Sequence, residues 1–326
     1  MAQGCNQEVV AMKKVACVGI LVADVMVEPV KRLPDKGGLL PVNSITMHNG
    51  GNAMTAAINL KKRGIESYMV GMVGDDMFGE FLKSKLQTAG VNVDGLKTEP
   101  KTQTSASVVV IDESGERSFL HCKGANAELT VDDINMEAIE PCDMVFVTGS
   151  FLMDSFDGVG TMQFLKQCKE MGKTTFLDVC WDASGRWGEL LDMAMPYIDY
   201  FMPSIDEAVL IAGKEDPDEI AQVFMDKGVK NVVIKLGSKG SYLRKEGEAK
   251  GKIFPPFYVE NPVDTTGAGD SFCSGFLAAY AAGQEPKDCM VFANATGAQC
   301  VTAMGATTGI KSFEETMEWI RTYKKA

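Results

Sequence analysis

Short runs of β-branched and other apolar residues alternate with helix-like stretches along most of the chain. The first run, VACVGILVADV over residues 15–25, is bounded by charged positions and has the composition of a strand buried on both faces. Comparable runs follow at 67–74, 143–150, 173–180, 199–204 and 231–237. The alternation predicts β-α-β units, and therefore an α/β fold with a largely parallel central sheet covered by helices.

Two regions interrupt this alternation with a period of two. They lie at about 25–50 and 102–126, with turn-forming sequences at 35–38 and 112–115. Such segments are typical of antiparallel strands that leave the main sheet. Because one face of a small sheet must be covered, we expect a β-sheet lid over the main domain. The lid comes from two separated insertions, so residues 1–326 are predicted to form a single domain.

Composition and charge restrict the classes of partner. Of 326 residues, 45% are hydrophobic and 23% are charged, which is typical of a soluble globular protein. Asp and Glu total 44 against 32 Lys and Arg, for a formal charge of −12. A nucleic acid or an anionic membrane would be repelled over most of this surface. A small phosphorylated ligand is still compatible, because glycine-rich backbone and helix ends bind phosphate locally.

The nine cysteines are scattered along the chain and include no C-x-x-C pair. Most of them lie in apolar runs, which favours buried free thiols over a disulfide framework or a zinc site. Residues 1–14 contain no apolar segment of secretory length, and no stretch approaches the roughly 18 apolar residues of a membrane helix. We therefore expect a cytoplasmic protein.

The stretch DTTGAGDSFCSGFLAAY, residues 264–280, joins a glycine-rich acidic turn to an apolar segment. Phe272, Phe276 and Tyr280 recur at helical spacing, so a helix is predicted to begin at the turn. The first N–H groups of a helix have no intrahelical acceptor, and glycine lets a ligand approach the backbone closely. The helix dipole adds about half a positive charge there. The turn is therefore predicted to bind an anion.

Asp270 lies in this turn, where its carboxylate would repel the anion that the backbone attracts. The arrangement is explained if Asp270 accepts a proton from a hydroxyl while the neighbouring amides hold transferred phosphoryl oxygens. The alternative is an ordinary acidic residue in a first helical turn, which stabilises the helix through its dipole. The local pattern leaves both interpretations open.

The same stretch resembles the second signature of the ribokinase, or phosphofructokinase-B (PfkB), family of carbohydrate kinases, which reads D-T-x-G-A-G-D. Residues 49–91 resemble the N-terminal signature of that family, with paired glycines before a helix. DEA at 206–208 and KLGSKG at 235–240 extend the similarity, which spans roughly residues 12–325. The resemblance implies a ribokinase-like three-layer α/β/α fold with a small β-sheet lid.

This resemblance implies ATP-dependent phosphorylation of a hydroxyl, which we expect to be a primary hydroxyl of a small sugar or sugar derivative. By the resemblance Asp270 is the catalytic base. The residues that match the anion hole are Gly267, Ala268 and Gly269. The residues that match sugar-binding positions are Asp24, Gly51 and Asn52.

The resemblance also implies ATP and magnesium as cofactors, with potassium as a further ion. The residues that match nucleotide-binding positions are Gly237, Gly240, Asn294, Ser204 and Glu207. Of these, Glu207 would act through the water shell of the magnesium ion. Asp264 and Thr266 match a site for a monovalent cation.

Several positions depart from the family pattern. Thr55 lies where asparagine is common, and Ser204 lies where the N-x-x-E motif has asparagine. After the strand-end aspartate Asp178, Cys180 and Asp182 replace the usual asparagine and arginine. These changes are compatible with phosphoryl transfer but leave the acceptor undetermined.

Two other functions fit the same residues. A nucleoside kinase of this fold would differ only in its pocket, and a ligand-binding pseudokinase is conceivable because of Ser204 and Thr55. Arg117 is predicted to lie on a lid hairpin, where it could face solvent or meet a ligand carboxylate or phosphate. Exposed lid strands could also pair between two copies of the chain, so a homodimer is a hypothesis.

Overall fold

The computed structural model describes residues 12–113 and 115–323, and its strands form two sheets. The nine strands of the central sheet are β1 (Val15–Gly19), β4 (Ser67–Gly74), β5 (Asn92–Glu99), β8 (Met144–Ser150), β9 (Thr174–Val179), β10 (Tyr200–Phe201), β11 (Asn231–Lys235), β12 (Ser241–Arg244) and β13 (Lys252–Phe254). The four strands of the second sheet are β2 (Val22–Glu28), β3 (Ser44–Gly50), β6 (Ala106–Ile111) and β7 (Arg117–Cys122).

The central sheet has the order β13-β12-β11-β10-β9-β8-β1-β4-β5. Every pair from β11 to β5 is parallel, and β12 and β13 add antiparallel pairs at one edge. In parallel strands the carboxyl ends meet at one edge of the sheet. Gly19, Val179 and Lys235, which end β1, β9 and β11, therefore lie along one edge.

Helices cover both faces of the central sheet. One face packs against α1 (Asn52–Lys62), α2 (Met77–Thr88), α9 (Ala268–Ala281), α10 (Pro286–Cys300) and α11 (Phe313–Thr322). The other packs against α3 (Ala125–Glu128), α4 (Met136–Ile139), α5 (Val159–Glu170), α6 (Gly188–Leu191), α7 (Ile205–Ala212) and α8 (Pro217–Asp226). This arrangement confirms the predicted three-layer α/β/α architecture.

Both faces of β1 are apolar because both are buried. Val15 and Cys17 pack on the α1 and α9 side, whereas Ala16 and Val18 pack on the α5 side. A strand that is covered on both sides reads as a continuous apolar run rather than an alternating one. The sequence pattern therefore located β1, β4, β8, β9 and β11 correctly.

The predicted single strand over 15–25 is wrong, because the chain leaves the central sheet after Gly19 and enters the second sheet at Val22. Asn126 fixes the intervening Leu21 by accepting from its N–H at 3.2 Å and donating to its carbonyl at 2.8 Å. Burial continues through this change of sheet. Hydrophobicity alone therefore could not mark the point where the chain turns.

The second sheet is the predicted β lid, in the order β3-β2-β6-β7. β2 pairs antiparallel with β3 and parallel with β6, and β6 pairs antiparallel with β7. The first lid strand begins at Val22, three positions before the predicted insertion at about 25. The sequence analysis also missed β5, β12 and β13, which lie at the edges of the central sheet.

The remaining predictions concern cysteines, membrane segments and domains. Eight cysteines lie within the described residues and all are free; Cys122 is exposed and Cys180 is half-buried, while the other six are buried. No helix within 12–113 or 115–323 is long and apolar enough to cross a bilayer. The single-domain prediction for 1–326 includes Cys5 and other positions outside the described residues, and it stays a prediction.

Candidate active site

The glycine-rich turn begins α9 at the carboxyl edge of the central sheet, as predicted. Gly267 is the N-cap residue, with a left-handed φ of 72°. A methyl group on Gly267 would lie 2.2 Å from the Ala306 Cβ, so the packed turn has room only for glycine. No side chain caps the first turn of α9, and the helix start therefore presents backbone N–H groups. The Ala268 N–H donates to the Thr265 carbonyl at 3.2 Å.

Asp270 is half-buried and faces a cavity of about 100 Å³ between the lid and the central domain. Asn52 Nδ2 donates to Asp270 Oδ1 at 2.6 Å. Asn52 is the first residue of α1 and directly follows the glycine pair Gly50 and Gly51. Burial raises the pKa of Asp270 above its ordinary value, while the charge of Lys235 and the Asn52 hydrogen bond oppose that rise. The carboxylate is thus a stronger base than an exposed aspartate.

Asp24 lies across the same cavity, on lid strand β2. Burial raises the pKa of Asp24 to about 6, although Ser107 and Arg117 act in the opposite direction. A methyl group on Gly50 would lie 2.0 Å from Asp24 Oδ2, so the glycine leaves room for this carboxylate. Two carboxylates, one on the lid and one at the α9 start, therefore face one space.

Gly51 belongs to the wall of this cavity and connects β3 to α1. It has a φ of 88°, and a methyl group there would lie 2.5 Å from the Ile20 carbonyl oxygen. The predicted site residues that line the cavity are Asp24, Gly51, Asp264, Thr266, Gly267 and Asp270. Asn52 is joined to it through Asp270. The cavity is also lined by Arg117, Thr55 and Phe119.

Asp264 is surrounded by hydrogen-bond donors. Its Oδ1 accepts from the Thr266 N–H at 2.8 Å, and its Oδ2 accepts from the Gly305 N–H at 2.8 Å and from Arg117 Nη2 at 2.9 Å. Burial alone would raise the pKa of Asp264, but the hydrogen bonds from Gly305, Thr266 and Arg117 outweigh it and hold the pKa below its ordinary value.

The predicted monovalent-cation site does not fit this donor set. Arg117 already places a full positive charge on the Asp264 carboxylate, which is almost completely buried. The carbonyl of Thr266, the other predicted ligand, accepts from Cys300 Sγ at 3.4 Å. A cation at Asp264 would meet the guanidinium and two N–H groups rather than free oxygen ligands.

The predicted nucleotide-binding residues lie outside this cavity. Ser204 Oγ accepts from the Glu207 N–H at 3.4 Å, and Glu207 Oε2 accepts from the Ser204 N–H at 2.8 Å, so the pair forms a capping box at the start of α7. Asn294 is buried and donates to the carbonyls of Phe254 and Pro255 at 3.3 and 3.0 Å. In this structure these polar side chains therefore stabilise the fold.

Gly237 and Gly240 follow β11 and both have positive φ, at 58° and 93°. A methyl group on Gly240 would lie 2.1 Å from the Phe254 carbonyl oxygen, whereas one on Gly237 would meet no atom within 4 Å. Gly240 is therefore required by packing against β13. The open space at Gly237 is compatible with a ligand lying on the backbone.

The sequence analysis missed one charged pair at this edge of the sheet. Lys235, the last residue of β11, donates to both carboxylate oxygens of Asp178 in β9, each at 2.7 Å. Lys235 ends the otherwise apolar strand NVVIK, and Asp178 is the second-last residue of the strand TTFLDV. A charged residue at the carboxyl end of a buried parallel strand is the signal that could have identified the pair.

These residues place a half-buried carboxylate beside a helix N-terminus, an arrangement compatible with activation of a hydroxyl next to a bound anion. The sequence profile of the pfkB family carbohydrate kinase matches residues 12–312. This chain therefore belongs to the pfkB family of carbohydrate kinases, and the resemblance noted in its signatures is confirmed.

Individual relatives support the same assignment. The ribokinase of Arabidopsis thaliana is 32% identical over 302 residues, which cover 89% of this chain and 76% of that protein. The ribokinase of Bacillus subtilis is 28% identical over 309 residues, which cover 94% of this chain and 99% of that protein.

Solved structures share the fold over almost the whole chain. The crystal structure of ribokinase from Thermotoga maritima has a TM-score of 0.82 at 25% identity, and the match covers 95% of this chain and 100% of that one. The structure of Arabidopsis thaliana ribokinase complexed with ribose and ATP has a TM-score of 0.82 at 26% identity, covering 96% of this chain and 100% of that one.

Proposed function

We propose that this carbohydrate kinase transfers the γ-phosphoryl group of ATP to a primary hydroxyl of a small neutral sugar. The observation that carries the proposal is the position of Asp270, beside the first-turn amides of α9 and facing the cavity that also holds Asp24. A base and an anion site adjacent to one small space are what the reaction requires.

In this mechanism the side chains around Asp270 have distinct tasks. Asn52 occupies Oδ1 at 2.6 Å, so Oδ2 is the oxygen that accepts the proton of the sugar hydroxyl. The hydroxyl oxygen then forms the new bond to the γ-phosphorus as the bond to the leaving ADP oxygen breaks. The amides at the start of α9 stabilise negative charge on the transferred group. Asp24 orients the sugar by accepting from its other hydroxyls.

ATP as phosphoryl donor is supported by the Arabidopsis ribokinase structure with ribose and ATP. When bound with ATP, a magnesium ion would neutralise charge on the nucleotide phosphates. Glu207 is the candidate for its water shell, because the Glu207 carboxylate is close enough to raise the pKa of Asp270. Gly237 offers open backbone for the nucleotide, and we retain Gly240, Asn294 and Ser204 as residues that shape that side of the site.

The charge of the cavity favours a neutral monosaccharide as acceptor. Asp24, Asp264 and Asp270 face a space of about 100 Å³, and the guanidinium of Arg117 is already paired with Asp264. An anionic acceptor would therefore meet uncompensated negative charge.

The test is ADP release with a panel of aldoses, ketoses, sugar acids and nucleosides at equal concentration. We expect turnover with a neutral pentose or hexose and little with a sugar acid. Turnover with nucleosides alone would replace the sugar-kinase proposal with a nucleoside kinase. Thermal stabilisation by a sugar without ADP release from any acceptor would favour a non-catalytic ligand-binding protein.

We further propose that the lid associates two copies of the chain. The outer face of the lid, opposite Asp24, carries Ile45, Met47, Val108 and Leu120 in neighbouring register positions, and all four are exposed. A contiguous apolar face of this kind is typical of a subunit interface.

A cytoplasmic location stays a proposal too, supported by the free thiols.

A further inference from the structure

The Lys235–Asp178 pair is buried below the start of α9, and the mechanism above does not use it. Side-chain exposure is 13% for Lys235 and 1% for Asp178. Both oxygens of one carboxylate accept from one ammonium at 2.7 Å, which is the geometry of an ion pair. Replacing such a pair by apolar residues is often neutral for stability or better, so packing alone does not explain it.

The position of the ammonium relates it to the anion-binding turn. A methyl group on Gly269 would lie 3.6 Å from Lys235 Nζ, so the ammonium is directly beneath the second glycine of the turn. Cys273, one helical turn further along α9, lies 3.9 Å from Lys235 Nζ and donates from Sγ to Asp178 Oδ2 at 3.4 Å. The pair therefore contacts α9 directly, and neither residue lines the cavity between the lid and the central domain.

We propose that Lys235 and Asp178 are positioning residues that set the electrostatic environment of the phosphoryl-transfer site through opposing charges beneath Gly269. Lys235 supplies a fixed positive charge that keeps Asp270 ionised, and Asp178 holds that charge in place and limits its strength. This inference rests on the proposed function of Asp270.

The charged and titratable groups around Asp270 are consistent with this division. Burial raises the pKa of Asp270, Lys235 lowers it and Glu207 raises it. Burial also raises the pKa of Asp178 to about 7, while Lys235 lowers it and Asp270 raises it. Burial raises the pKa of Cys180 and Cys273 well above the ordinary value, and it raises that of Cys300 to about 11, so all three thiols are uncharged. Arg117 lines the same cavity but is paired with Asp264 at 2.9 Å, so among the described residues Lys235 is the cation whose charge lowers the pKa of Asp270.

The experiment measures the pH profile of kcat at saturating sugar in three variants, because ionisation of Asp24 would also contribute to the acidic limb of kcat/KM. Lys235→Met should move the acidic limb to higher pH by about one unit, because the carboxylate of Asp270 loses a nearby cation. Asp178→Asn should move it to lower pH, because it removes a nearby anion. The double variant should return close to the unmodified profile, since its net change in charge is zero. Lys169→Met is the matched control, because it breaks the Lys169–Asp199 pair at the opposite edge of the sheet and should leave the limb unmoved.

Opposite shifts with restoration in the double variant establish the inference. Equal shifts in both single variants, or no shift in either, would overturn it. If Lys235→Met does not fold, the other two variants still test the inference. Asp178→Asn should move the acidic limb of the pH profile, and the double variant should not. Asp270→Asn separates the two proposals. If that variant retains activity, the proposed function itself is wrong. If it loses activity but the Lys235 and Asp178 variants show no shift of the acidic limb, only this inference is wrong.

Discussion

Arg117 on lid strand β7 and Asp264 before the α9 turn form an ion pair at 2.9 Å that crosses the acceptor cavity. Arg117 also donates to Met304 Sδ at 3.3 Å, in the loop that packs against Gly267. The pair is buried, with side-chain exposures of 15% and 2%. It therefore joins the lid to the segment that shapes the anion site.

Replacing Arg117 by methionine should loosen the lid and leave Asp264 buried without its counter-ion. Breaking a buried pair in this way costs about 3 kcal/mol, so Tm should fall by several degrees and the KM for the sugar should rise. Lys123→Met is the control, because the Lys123–Asp154 pair is solvent-exposed and contributes at most about 1 kcal/mol. Equal effects of the two substitutions would show that Arg117 is only another surface cation.

Asp270→Asn tests the base. The variant keeps the volume and the contact with Asn52 but cannot accept the hydroxyl proton, so kcat should fall by at least about a hundredfold. ATP binding, measured by calorimetry, should survive. Asp216→Asn is a fair control, since Asp216 caps α8 and asparagine caps equally well. Comparable turnover in Asp270→Asn would remove Asp270 from the mechanism.

Sugar binding should weaken in acid because an ionised Asp24 accepts hydrogen bonds from the sugar hydroxyls more strongly than a protonated one. With a pKa of about 6, the ionised fraction of Asp24 falls about tenfold between about pH 7.5 and pH 5. Affinity for the sugar, measured in an Asp270→Asn background to remove the second carboxylate, should fall by a similar factor. Adding Asp24→Asn should abolish this pH dependence. If Asp24→Asn leaves the pH dependence of sugar affinity unchanged, a group other than Asp24 controls that dependence.

The same raised pKa has a consequence for stability. The folded protein binds the Asp24 proton more tightly than the unfolded chain does, so the contribution of Asp24 to the free energy of unfolding decreases as pH rises from about 4 to about 6. Asp24→Asn should therefore raise Tm at neutral pH and have little effect below about pH 4. A thermal melt at each pH checks this, and destabilisation at neutral pH would contradict it.

Gly267→Ala should disrupt the anion site. The new methyl group would meet Ala306 at 2.2 Å in a backbone with a φ of 72°, so the start of α9 must shift. We expect activity to fall by at least about a hundredfold, by analogy with the loss of preorganised donors. Gly172→Ala matches the backbone angle, at 75°, but meets no atom within 4 Å, and it should cost only about 1 kcal/mol of stability with activity intact.

Leu120→Lys tests the proposed dimer. Leu120 is exposed on the outer face of the lid, so a charge there should prevent association without disturbing the core. Sedimentation velocity should show a dimer for the unmodified chain and a monomer for the variant. Val159→Lys, at another exposed apolar position, on α5, should remain dimeric. A monomer in every case would rule out association through the lid.

The sequence predicted those parts of the fold that depend on local pattern. Strands buried on both faces, such as β4 and β8, have continuous apolar sequences. The turn at Gly267 could be predicted because its glycines precede an apolar helix. Edge strand β5, NVDGLKTE, is half-exposed and carries charges, so no apolar run marks it. Strand β10 has only two residues, although the run around it is longer.

The site depends on contacts that no local pattern contains. Asn52 and Asp270 are separated by 218 positions, and Asp178 and Lys235 by 57. Family resemblance matched Asn52 to a sugar-binding position, and the structure adds a hydrogen bond from its amide to Asp270 that no local pattern predicts. It also placed a cation at Asp264, where the lid supplies Arg117 instead. These relationships arise only when distant strands and helices are assembled.

The short connection between β1 and β2 links the position of the lid to the position of Asp24 in the cavity. Asn126 fixes Leu21 in that connection, and Asp24 lies three residues later on lid strand β2. A change in the position of the lid relative to the central sheet would therefore move Asp24 relative to Asp270. In the proposed mechanism, release of the phosphorylated sugar would then coincide with loss of its contacts with Asp24, and the next acceptor would be aligned only when the lid returns.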